Sequence, residues 1–202
     1  MKVALIGATG NSGSRILTEL LARGHEVLAL ARHTEKIPAQ QGLRTANVDV
    51  GQRDELASLL AGSDAVISAV KFKDAEPSEL IKAVRSAGVK RYLVVGGAGS
   101  LELSPGVREV DGPNFPPHVR PEALKGADFL VQLRASDLQW TFLSPSRMFI
   151  AGERTGTFRL GTDQLLFDAT GRSGISFEDY AIAMVDEVEK PKHLCARFTV
   201  GY

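Results

Sequence analysis

The sequence is poor in the residues that hold metals, disulfides and membranes. It has one cysteine, Cys195, and four histidines, His25, His33, His118 and His193, scattered without ligand spacing. A lone thiol forms no internal disulfide, so a reducing compartment, the cytoplasm, is expected, with Cys195 a small apolar side chain buried near the last strand. The scattered histidines predict no metal site. Lysine plus arginine and aspartate plus glutamate balance at 24 each, and this argues against a general nucleic-acid or membrane-surface role. No segment approaches the ~20 apolar residues of a membrane span. The apolar run after Met1-Lys2 stops at Gly7, too short for the core of a signal peptide. There is no G-x-S-x-G elbow of a hydrolase, no glycine loop ending in the Lys-Ser/Thr of a P-loop, and no repeat. What remains is a chain of 202 residues with 44% hydrophobic content, enough for one substantial core and one domain.

The informative stretch is Lys2 to Gly24. Val3-Ala4-Leu5-Ile6 is a short apolar run without polar alternation, the pattern of a strand buried on both faces of a parallel sheet. It breaks into Gly7-Ala8-Thr9-Gly10-Asn11-Ser12-Gly13, a G-x-x-G-x-x-G turn. Ile16, Leu17, Leu20 and Leu21 then recur at helical spacing, and Gly24 supplies a left-handed stop. Strand, glycine turn and helix in this order present bare backbone N–H groups at a helix N-terminus, a cradle for pyrophosphate. Gly7, Thr9, Gly10, Asn11, Ser12 and Gly13 are the expected dinucleotide contacts.

Glu26–Ala31 reads as the second strand. Folds that select NAD place an acid near its end for the ribose hydroxyls; here stand Arg32 and His33. A guanidinium suits a 2′-phosphate, so NADP(H) is expected over NAD(H). Leu43–Val50 reads as a third strand, with Asp49 placed to start the next turn. Asp64–Val70 reads as a fourth, where small Ser68-Ala69 allows a cofactor to approach closely. Lys71 and Lys73 follow, within reach of phosphate or a substrate acid. Arg91–Val95 is the fifth strand. The loop after it, with Gly97, faces the same crevice as the first glycine turn, because both lie beyond the carboxyl ends of strands.

Helices are expected over 51–61, 76–87 and 121–135, and a sixth strand over Gln139–Leu143. Residues 101–120, with Pro105, Pro113, Pro116 and Pro117, read as a long irregular loop of lid type. Gly156–Leu160 and Gln164–Phe167 read as a hairpin. Ser176 caps a last helix with Asp179 three residues on, and Arg197–Val200 is a last strand. This alternation predicts an α/β fold of the Rossmann type, doubly wound around a mostly parallel sheet. A single domain over 1–202 is expected, with 145–175 contributing a small C-terminal substrate lobe.

The turn Gly-Ala-Thr-Gly-Asn-Ser-Gly resembles the glycine motif of the extended and atypical short-chain dehydrogenase/reductase superfamily, and further matches cover nearly the whole chain. The closest resemblance is to its NAD(P)H-binding members: the NmrA-like proteins, the flavin/biliverdin reductase group and bacterial NADH-flavin reductases. It implies that Asp49 and Val50 contact adenine and that the turn around Ala69, Val70 and Lys71 lies beside ribose and nicotinamide. It implies also that Pro145 lies beside the nicotinamide, and that Ser100 stands where relatives carry a catalytic serine. Classical members have a Tyr-x-x-x-Lys acid–base pair on the following helix, and none exists here. Tyr92 sits in a strand, Tyr180 on a late helix and Tyr202 last. His118, near the expected helix start, is the substitute candidate, with Arg120 able to hold an anionic substrate.

The leading expectation is an NAD(P)H-dependent oxidoreductase passing hydride from the nicotinamide to a flat small-molecule acceptor such as a flavin, quinone or conjugated carbonyl. Met148 and Phe149 suit such an acceptor, or equally the core. The alternative, from the NmrA-like resemblance and the missing pair, is a non-catalytic NADP(H)-binding redox sensor. Sugar-nucleotide epimerase or dehydratase chemistry is the weakest reading, because it needs the phenolic acid–base.

Overall fold

Alternation along β1 (Lys2–Ile6) builds both layers of the molecule at once. Val3 and Leu5 enter one core, Ala4 and Ile6 the other, and none of the four is more than 1% exposed. A strand with no solvent face has no polar positions, which is why it reads as an unbroken apolar run. A computed structural model describes residues 1–202.

After β1 come α1 (Asn11–Ala22), β2 (Glu26–Ala31), β3 (Leu43–Asn47), α2 (Arg53–Leu60), β4 (Ala65–Ser68), α3 (Pro77–Ser86) and β5 (Arg91–Val95). A hairpin of β6 (Glu102–Ser104) and β7 (Val107–Arg108) leads to α4 (Arg120–Arg134) and β8 (Gln139–Pro145). The chain ends with β9 (Met148–Ile150), β10 (Arg159–Gly161), β11 (Gly174–Ser176), α5 (Phe177–Glu189) and β12 (Ala196–Gly201). Eight strands form one sheet in the order β3-β2-β1-β4-β5-β8-β12-β10, parallel except for β10, which runs antiparallel to β12. α1 and α5 cover one face through Ile16, Leu20, Tyr180 and Met184; α2, α3 and α4 cover the other through Leu56, Leu80 and Phe129. This is the doubly wound Rossmann-type α/β fold. The chain winds outward from β1 to β3 and then from β4 to β8, so the carboxyl ends of β1 and β4 bound a topological switch point. Gly24 (φ +77°) ends α1 as expected: its N–H donates to Leu21 O, and that of His25 to Leu20 O.

Several local expectations are corrected. Residues 101–120 are not an irregular loop throughout, because Pro105-Gly106 turns β6 into β7 with Gly106 at φ +78°. The third strand stops at Asn47, whose side chain bonds the preceding loop instead. The hairpin read over 156–167 does not form. Leu160 of β10 pairs with Val200 of β12, at the edge of the main sheet, and Gln164 bridges to Glu102. β9 and β11 form a separate parallel pair. Cys195 is exposed, in the turn feeding β12 at φ +53°, not buried in the core.

Candidate functional site

The glycine turn is braced by the strands beside β1. The N–H groups of Gly7 and Ala8 donate to Leu30 O at 2.7 and 3.2 Å, and Ala69 N–H donates to Ile6 O at 2.8 Å. The three glycines answer to different demands. Gly7 has φ +84°, and a Cβ there would lie 2.7 Å from Ala69 O. A Cβ on Gly13 would lie 2.1 Å from Gly7 O, so α1 can seat this close only on glycine. Gly10, at φ −72° and ψ 170°, occupies backbone space open to any residue, and a Cβ there would meet nothing nearer than 3.3 Å. α1 starts with no side-chain cap and no acid in its first turn. Its leading N–H groups are left for another acceptor, at the positive end of the helix dipole.

A cleft of about 240 Å³ opens above this turn, and nine of the expected residues line it: Gly7, Thr9, Gly10, Arg32, Asp49, Val50, Ala69, Val70 and Lys71. Asn11, Ser12 and Gly13 stand at the start of α1 beside the lining, and Pro145 is buried at the end of β8. Arg32 is exposed. The loop that carries it is pinned by Asn47. Asn47 Oδ1 accepts from Thr34 N–H (2.9 Å) and Thr34 Oγ1 (2.7 Å), while its Nδ2 donates to Glu35 (2.7 Å). Sequence reasoning missed this clamp; an asparagine closing a β-type run is the signal that could have found it. Asp49 starts the following turn, its Oδ1 accepting from Gly51 N–H at 2.9 Å.

A 3₁₀ turn, Phe72–Asp74, follows β4 and is held by Glu122, another residue the sequence did not single out. Both carboxylate oxygens of Glu122 accept backbone N–H groups, Phe72 at 2.7 Å and Lys73 at 2.9 Å. Beyond it lies a second cleft of about 660 Å³, lined by Phe72, Gly97, Gly99, Leu103, Phe115 and Val119 among others. Glu109 and Arg147 also line it. Glu109 is buried and accepts both Arg147 Nε (2.7 Å) and Nη2 (2.9 Å), which raises the arginine pKa further.

Neither candidate catalytic residue, Ser100 or His118, lines either cleft. Ser100 is 8% exposed, and Arg197 Nη1 reaches its carbonyl at 3.0 Å and its hydroxyl at 3.4 Å. His118 is exposed and lies outside both linings, although Pro116 and Val119 beside it belong to the second. The phenols of Tyr92 and Tyr180 are fully buried, donating to Ser68 Oγ (3.1 Å) and Leu143 O (2.7 Å). Burial pushes both pKa values upward, which removes these groups as acids at neutral pH.

A family model described as NAD(P)H-binding matches residues 7–191, from the first glycine of the turn to just past α5. The chain belongs to this NAD(P)H-binding family. Over 213 aligned residues it is 39% identical to protein YwnB of Bacillus subtilis, spanning 99% of this chain and 98% of that one. Among solved structures, it is similar to a Bacteroides thetaiotaomicron protein provisionally named an epimerase. Identity there is 43%, TM-score 0.95, and coverage 100% of this chain and 96% of the other. It is similar also to a Streptococcus pneumoniae protein provisionally named an NADH-flavin reductase, at 37% identity and TM-score 0.84, covering 100% and 99%. The resemblance read from the glycine turn is thereby borne out. No helix is long and apolar enough to cross a membrane.

Proposed function

We propose that the chain is an NAD(P)H-dependent oxidoreductase that reduces a flat small-molecule acceptor. The observation that carries this is the uncapped start of α1, with a glycine at position 10 that the backbone does not require. Open space and free N–H donors at a helix N-terminus fit a pyrophosphate. In this reading Gly7, Thr9, Gly10, Asn11, Ser12 and Gly13 hold the pyrophosphate, and Asp49 and Val50 hold adenine. Ala69, Val70 and Lys71 flank the ribose, and Gly97 and Pro145 lie toward the nicotinamide. Arg32 takes a 2′-phosphate, which favours NADP(H) over NAD(H), since β2 ends at Ala31 and Arg32, not an acid, follows it. Of the small substrate lobe expected over residues 145–175 of the single domain, Arg147 lines the second cleft.

When bound, the cofactor supplies a hydride. The chain's own contribution is to anchor phosphates, orient an acceptor and exclude water. No tyrosine or histidine lines either cleft, and in this reading water provides the proton. That same lack of an acid favours a second reading, a sensor that binds NADP(H) without turnover.

A fluorescence titration with NADPH and NADH, followed by FMN, a quinone and dichlorophenolindophenol, separates the two. The reductase is expected to lose NADPH fluorescence on adding acceptor and to lose this activity in Gly10→Asp. Tight binding without turnover on any acceptor would move the assignment to the sensor. Failure to bind either nucleotide would sink both.

A further inference from the structure

We infer that the 660 Å³ cleft is the acceptor site and that it selects an uncharged, planar, quinone-class acceptor over a phosphorylated one. The inference rests on the oxidoreductase reading above. Its first support is position. The smaller cleft touches the ends of β1, β2 and β4, and its lining includes Lys71; the larger one begins at the next residue, Phe72, and reaches Gly97 after β5 and Arg147 after β8. A dinucleotide with its adenosine end at Arg32 and Asp49 crosses the switch point and turns its redox end toward this second cleft.

The second support is shape. Gly97 and Gly99 form part of the wall, and at Gly99 a side chain has no room. A Cβ on Gly97 would lie 3.3 Å from the Phe72 ring, and one on Gly99 would lie 2.7 Å from Ala123 Cβ. Backbone bare of side chains at Gly97 and Gly99, with Phe72, Phe115, Leu103 and Val119 around it, suits the face of a planar ring.

The third support is charge. Glu109, Glu122 and Arg147 are the charged side chains of the lining. Arg147 has Nε and Nη2 committed to Glu109, and Glu122 has both oxygens on backbone N–H groups. One negative charge is left in excess, and Arg147, the one cation of the lining, keeps only Nη1 outside its pair with Glu109. Arg120 lies outside the lining, its guanidinium 5.6 Å from the centroid of the Phe115 ring. A phosphate ester entering here meets a lining of net negative charge, whereas the smaller cleft offers Arg32 and Lys71. Asn114 supplies a neutral donor for a carbonyl oxygen. The reaction balances without a further reductant: the quinone takes one hydride from the reduced cofactor and one proton from water, leaving hydroquinone and oxidised cofactor.

The test is equilibrium binding without turnover. Duroquinone, riboflavin and FMN are titrated into the free protein and into protein saturated with NADP⁺. Duroquinone is used because its fully methylated ring does not alkylate the exposed Cys195. The expected result is duroquinone binding in both states, with FMN about tenfold or more weaker than riboflavin. Leu103→Arg, at a 40% exposed position, is expected to raise FMN affinity toward that of riboflavin; Val119→Arg serves if the first variant folds poorly. FMN binding as tightly as riboflavin, NADP⁺ competing with duroquinone, or no duroquinone binding to protein that binds NADP⁺ would each overturn the inference alone. Failure of NADP⁺ itself to bind would instead overturn the reading beneath it.

Discussion

α1 and α5 lie on the same face of the sheet and begin in opposite ways. The start of α5 is closed. Ser176 Oγ accepts from Asp179 N–H at 3.0 Å, and Glu178 and Asp179 fill the first turn. The Asp179 carboxylate is fully buried and accepts from Thr155 Oγ1 (2.6 Å), Gly156 N–H (2.8 Å) and Tyr202 OH (2.9 Å). Because that acid is occupied, Tyr202 OH takes the Ser176 N–H (3.2 Å) that a capping box would give it. The start of α1 has none of this. A cap contributes about 1 kcal/mol, so α1 forgoes stability that α5 collects. One start holds the chain together; the other keeps its donors available.

The comparison breaks most severely at Gly13. Gly13→Ala would place Cβ 2.1 Å from Gly7 O, a backbone atom with no room to move between β2 and β4. We expect a loss of about 3 kcal/mol, read from the denaturation midpoint, with cofactor binding lost alongside. An unchanged midpoint would mean that α1 sits further from the turn than described.

Gly10→Asp separates stability from function. Aspartate at this position gives α1 the cap it lacks, so stability is expected to rise by a few tenths of a kcal/mol. The same carboxylate faces the proposed pyrophosphate, and like charges at close range cost several kcal/mol. NADPH affinity is expected to fall about 100-fold. Normal NADPH binding by a stabilised Gly10→Asp protein would remove the α1 start from the site.

The open start was legible from sequence and much of what surrounds the second cleft was not. β1, β2, β4 and β5 are short apolar runs bounded by glycine and charge, and each is buried by helices close to it in sequence. β9, β10 and β11 are three-residue strands, the first two largely exposed, and their pairing is decided by partners far along the chain. Leu160 found Val200, not the run from Gln164 across the expected turn, because β12 offered a longer buried edge. The Pro105-Gly106 pair between Leu103 and Val107 was a turn signal, obscured by the three prolines that follow. Glu109, Glu122 and Asn47 carried no motif at all. Their roles come from backbone and side-chain groups that only the folded chain brings near.

Arg32 sharpens the comparison by asking what the open start is open for. It lines the cleft without entering the Asn47 clamp that fixes its loop. Arg32→Ala is expected to weaken NADPH about tenfold while leaving NADH within about twofold, the loss of one charge-assisted phosphate contact. Equal losses for both nucleotides would place Arg32 at the shared part of the cofactor, and the preference for NADP(H) would go.

The smallest expected effect comes from the closed start. Ser176→Ala removes the oxygen that accepts Asp179 N–H, and its bond to Glu153 O (2.9 Å). A fall of about 1 kcal/mol in stability is expected. Cofactor affinity should stay within about twofold, because the two starts meet at the surface through Arg15, which pairs with Glu178 at 2.9 Å and lies 5.7 Å from the centroid of the Phe177 ring. With side-chain exposures of 36% and 21%, that pair contributes under about 1 kcal/mol. A matching drop in NADPH affinity would mean that the cap on α5 holds the geometry of α1. The division of labour between the two helix starts would then be a single coupled device, in which closure at one end sets the opening at the other.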